Sequence, residues 1–118
     1  MSSFLFWLLL VHGSFYVLTG VWPLVHMPSF LAVTGPKTDL WLVRTVGALV
    51  LVVGSYLLLV ALRRSFHPEI ALLAAGCALA LAVADVIYVS RGVISRIYLA
   101  DAAVEILLVL VWGATLVA

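Results

Sequence analysis

Charge is scarce in this chain, and so is most of what builds a soluble catalytic domain. There is one cysteine, Cys77, set within an apolar run, so no intrachain disulfide and no cysteine-based metal site are expected. Six basic residues are spread over several loops and form no nucleic-acid patch, and glycine-rich phosphate loops are missing. No HxxxH or ExxH spacing places a histidine beside a second ligand, which argues against a metal centre at His12, His26 or the acids. No nucleophile or cofactor motif identifies an enzyme, and no cofactor is expected. The chain also shows no internal repeat and no low-complexity tail.

What is there is hydrophobic: 67% of the 118 residues, against 9% charged, a composition that belongs to an integral membrane protein with no separate soluble domain. A membrane span needs about 20 mainly apolar residues. Four segments qualify, at about 4–21, 40–62, 69–89 and 97–117, separated where proline, glycine and charge gather. The first lacks a basic start and a small-residue cleavage pattern and continues past Gly13, so it reads as a retained helix rather than a signal peptide. The expected fold is a single all-α domain, an antiparallel four-helix membrane bundle with both ends of the chain on one side. Trp7 and Trp112 then fall near that side, and Trp22, Trp41, Tyr88 and Tyr98 near the other, as interfacial belts should. Basic residues are too evenly divided between the two sides to set the orientation.

The stretch 22–39 contains Pro23, Pro28, Gly35 and Pro36, and reads as too broken for a stable helix although it is rich in leucine, valine and phenylalanine. Loops of such length are often lids or binding segments. It is expected to cap the bundle, with His26 hanging over the charged groups below.

Those groups are Arg44, Asp85, Asp101 and Glu105, each inside an apolar span. A charge at that depth costs about 2.5–3.5 kcal/mol on insertion scales, so it persists only if paired, neutralised or used. All four fall in the half of the membrane nearer the long loop. Tyr98, Asp101, Glu105 and Trp112 share one face of the fourth helix, Asp85 and Tyr88 one face of the third, and His12, Tyr16 and Thr19 one face of the first. On the second, Arg44, Gly47, Leu51 and Gly54 line up, the glycines permitting close approach of a neighbour. Lipid rejects such stripes, so all are expected to turn inward around an acidic chamber of three carboxylates against one arginine. Glu105, the deepest acid, is the first candidate for a proton carrier or general acid.

The opening Leu42-Val43-Arg44-Thr45-Val46-Gly47 of an apolar helix, with Gly54 one heptad later, resembles small bacterial membrane proteins of the DoxX-like kind. That resemblance implies a multi-pass four-helix protein of the bacterial inner membrane. More distantly, Asp85, Asp101, Glu105 and Trp112 look like the acidic and aromatic set with which sterol-isomerase-type membrane bundles hold lipid-like ligands. Small multidrug transporters are similar in length and span number, but their signature glutamate lies in the first helix, where this chain has only His12.

Three functional classes follow. The first is a membrane protein that binds a small amphiphilic, lipid-like or cationic ligand through Arg44, Asp85, Tyr88, Tyr98, Asp101, Glu105, His26, Tyr16 and His12. The second is a proton-coupled transporter working as a homodimer through Glu105 or Asp101. The third is a structural or accessory subunit whose buried charges form an ion-pair network fixing helix register.

Overall fold

The computed structural model describes residues 1–117 and is all-helical, with five helices and no strand among them: α1 (Ser3–Val25), α2 (Met27–Thr34), α3 (Leu40–Arg63), α4 (Pro68–Ser90) and α5 (Tyr98–Val117). All but α2 are long and apolar enough to cross a membrane. The helices form two compact units, Met1–Phe66 and His67–Ala118.

In the first unit α1 packs on α3. Contact is made by glycines: a Cβ at Gly20 would sit 2.6 Å from the Gly47 carbonyl oxygen and the Leu51 nitrogen, and one at Gly54 would sit 2.8 Å from the Gly13 oxygen. Gly13 meets Gly54 and Gly20 meets Gly47, so the helices run in opposite directions with their backbones in van der Waals contact. Ser2 caps α1, its hydroxyl accepting the Leu5 N–H at 3.2 Å. At the C-terminal end of α3, Arg64 takes the left-handed conformation (φ 49°, ψ 41°) and the Ser65 N–H closes a six-to-one bond to the Val60 carbonyl at 3.2 Å.

The segment 22–39 departs from the expected irregular loop. Helix α1 runs through Pro23 to Val25 although the proline forgoes the bond its N–H would make to the carbonyl four residues earlier, and its buried ring fills the space that the missing side chain of Gly47 leaves open. Pro28 likewise starts α2 rather than breaking it, since the first turn of a helix has no use for its N–H. His26 joins the two helices. Its N–H donates to the Trp22 carbonyl at 2.9 Å to end α1, and its Nδ1 accepts the Ser29 N–H at 3.2 Å to begin α2. Trp22 Nε1 donates to Ser29 Oγ at 2.8 Å, and Lys37 Nζ donates to Thr34 Oγ1 at 2.8 Å while lying over the Phe30 ring.

In the second unit α4 packs on α5. Pro68 opens α4 and Glu69 lies in its first turn, where a negative charge suits the helix dipole. The helix ends at Ser90 and is closed off by Gly92 (φ 71°), with the Val93 N–H bonded to the Tyr88 carbonyl at 2.9 Å, and a short turn then leads into α5. The buried face of α4 is a stripe of Ala71, Ala74, Ala78 and Ala82 that ends in Asp85; α5 buries Ala102, Glu105, Leu108 and Trp112.

Candidate functional site

The alanine stripe fixes the chemistry of the second unit. Four small side chains at helical spacing let α5 approach closely, and the next position on the same face is a carboxylate. Asp85 is only 6% exposed and Glu105 1% exposed. Asp101, half-buried, faces Asp85 across the helix pair within reach of a side-chain hydrogen bond, and Glu105 adds a second negative neighbour. Glu105 is in turn the charged neighbour of Cys77, eight residues before Asp85, so α4 and α5 run in opposite directions. Asp85 Oδ2 is sealed from solvent and has no hydrogen-bond partner. An unsatisfied buried oxygen of this kind costs about 1–3 kcal/mol, more when charged. At Asp85 the fold carries that cost beside two further acids.

The three acids expected to converge therefore do so within one helix pair. The tyrosines on the same helices divide: Tyr98 is half-buried, but Tyr88, in the last turn of α4, is exposed. For Tyr88 the expected inward turn of the stripe does not hold.

In the first unit His12 and Tyr16 are fully buried on α1, their rings meeting edge to face with centroids 4.3 Å apart. Gly47 and Gly54 face α1 as their spacing implied, whereas Arg44, one turn earlier on the same stripe, is exposed. Helical side chains lean toward the helix start, and α3 begins only four residues before Arg44, so the long side chain can carry its charge outward past the packed face. His26 is exposed and is occupied as the joint between α1 and α2. No group of three or more metal-ligating side chains has the geometry to hold an ion among the described residues.

Two features escaped the sequence reading. The alanine run of α4 was visible as 71, 74, 78 and 82 but lacks the polarity that draws attention, and the α2 caps depend on side chains whose pairing has no periodic signature. No family model, curated protein or solved structure matches the chain. Function has to be read from the geometry.

Proposed function

We propose that the chain is a multi-pass membrane protein, its four long helices spanning an inner membrane of the bacterial type, and that its acid cluster binds the positively charged head of a small amphiphile. One observation carries this reading: Asp85 is buried in an apolar helix pair with Oδ2 unpartnered, and its nearest charged neighbours on α5 are both acids. Intramembrane ionisable groups are kept where they bind or move something, and an acid placed next to acids fits a cation. The ligand's apolar part is accommodated by the surrounding leucine, valine and alanine side chains.

A proton-coupled transporter is the second reading, favoured by the adjacency of Asp85 and Asp101, because a hydrogen bond between two carboxyl groups uses a proton that a cation can displace. The shared test is equilibrium binding of a lipophilic cation such as tetraphenylphosphonium to purified protein in detergent. Saturable binding that disappears in Asp85→Asn supports the site. Binding that is absent, or unchanged in the variant, removes it, and the acids then belong to the structural class.

A further inference from the structure

We propose that the end of the first unit where α1 begins and α3 ends holds one anionic phospholipid, with its phosphate on Arg63 and Arg64. The inference rests on the membrane-spanning part of the function proposed above and is independent of the acid cluster.

The antiparallel pairing of α1 and α3 brings the first turns of α1 beside the last residues of α3. There the Arg64 guanidinium lies over the Phe6 ring, 4.6 Å from its centroid. A cation–π contact occupies no N–H donor, so the guanidinium keeps the fork that matches a phosphate. Arg63, the last residue of α3, stands next to it, and both are exposed. The only acid of this unit, Asp39, precedes the opposite end of α3, and the first turn of α1 has no acid to offset its positive dipole end. The corner is thus positive with nothing in its own unit to neutralise it.

The backbone at Arg64 points the same way. Both α3 and α4 end in a six-to-one bond around a left-handed residue. At the end of α4 that residue is Gly92, which adopts the conformation freely; at the end of α3 it is Arg64, which does not. The fold of the turn does not call for an arginine, so the side chain must be accounted for by what it meets outside the turn.

The surroundings choose a lipid over a free anion. Phe4, Trp7 and Leu62 are large apolar side chains at this same end, exposed by 51%, 63% and 72%. A phospholipid places its phosphate on the arginines and its acyl chains against these residues, whereas inorganic phosphate leaves them bare. Basic residues just outside a span, next to interfacial aromatics, are the ordinary footprint of anionic headgroups.

The test uses the full chain in phosphatidylcholine nanodiscs containing a minor share of phosphatidylglycerol, with bound lipid counted by native mass spectrometry after release. Wild type should retain one phosphatidylglycerol in preference to phosphatidylcholine. Arg63→Gln or Arg64→Gly should each weaken that preference about fivefold and the double variant about thirtyfold, the attraction of one basic residue for an anionic surface being of that size. Arg64→Gly suits the left-handed cap, so its melting temperature should equal or exceed that of wild type, which separates lost binding from lost folding. Arg91→Gln and Arg96→Gln should leave the preference intact, and millimolar inorganic phosphate should not displace the lipid. A double variant that keeps wild-type selectivity, or full displacement by phosphate, overturns the lipid site. A chain that does not insert into nanodiscs at all overturns the membrane-spanning reading as well.

Discussion

Helices α1 and α3 meet backbone to backbone, whereas α4 and α5 meet through alanines and acids. In the first unit two glycine pairs bring main chains into contact, and the polar groups buried with them, His12 and Tyr16, meet edge to face. In the second the small alanine side chains line the contact, and Asp85 and Glu105 are buried beside them. Charge follows the same division. The first unit carries Lys37, Arg44, Arg63 and Arg64 against Asp39, a formal +3; the second carries Arg91 and Arg96 against Glu69, Asp85, Asp101 and Glu105, a formal −2. One pair is thus packed through glycines with its arginines exposed, and the other buries two acids beside its alanines.

The largest effect should come from the first unit. In Gly20→Val the new Cβ would meet the Gly47 oxygen and the Leu51 nitrogen at 2.6 Å, and main-chain atoms cannot rotate away. Overpacking typically costs about 1–3 kcal/mol, and this contact belongs at or above the upper end of that range, read as a much lower melting temperature in detergent. A variant that melts like wild type would show that the glycine contact does not hold the pair together.

The second unit should respond in the opposite direction. Asp85→Ala continues the stripe of Ala71, Ala74, Ala78 and Ala82 and removes an unpartnered buried oxygen. A gain of about 1–2 kcal/mol is expected from chemical or thermal unfolding, as when a functional site trades stability for activity. A loss of similar size would mean that Asp85 clasps the helices.

Smaller effects sharpen the contrast. His26→Ala removes the acceptor of the Ser29 N–H and should destabilise α2 by about 1 kcal/mol, the usual worth of an N-cap, with a change in Trp22 fluorescence as its hydrogen bond to Ser29 loosens. The α1–α3 contact should be unaffected. Gly76→Ala in α4 has nothing within 4 Å of the new methyl, so it should stabilise by about 0.5–1 kcal/mol through helix propensity alone. A destabilised Gly76→Ala would reveal a partner packed on that face.

Most of the helices were legible in the sequence because length and hydropathy decide them: the bounds of α3, α4 and α5 fall within a residue of those expected. The miss lies at 22–39, where counting prolines suggests disruption but Pro28 stands in the first turn of α2, where a helix has no use for its N–H, and Pro23 has its ring buried against Gly47 two residues before α1 ends. An eight-residue helix has little stability from propensity, so α2 depends on the Trp22–Ser29 and Lys37–Thr34 contacts, which no periodicity announces. Of the site, the convergence of Asp85, Asp101 and Glu105 followed from helical spacing. The outward turn of Arg44 and Tyr88 did not, because both lie within a turn of a helix end, where a side chain is free to leave the packed face.

The central claim is that the second unit holds its acids for a cation and not for the fold. Its most direct test is the melting temperature of wild type and Asp85→Asn, each with and without tetraphenylphosphonium. A ligand that binds only the folded state raises stability by mass action. The account predicts that the cation raises the wild-type midpoint, while the variant melts at or above the unliganded wild-type value and does not respond. A variant that melts well below wild type, beside a wild type indifferent to the cation, would contradict it.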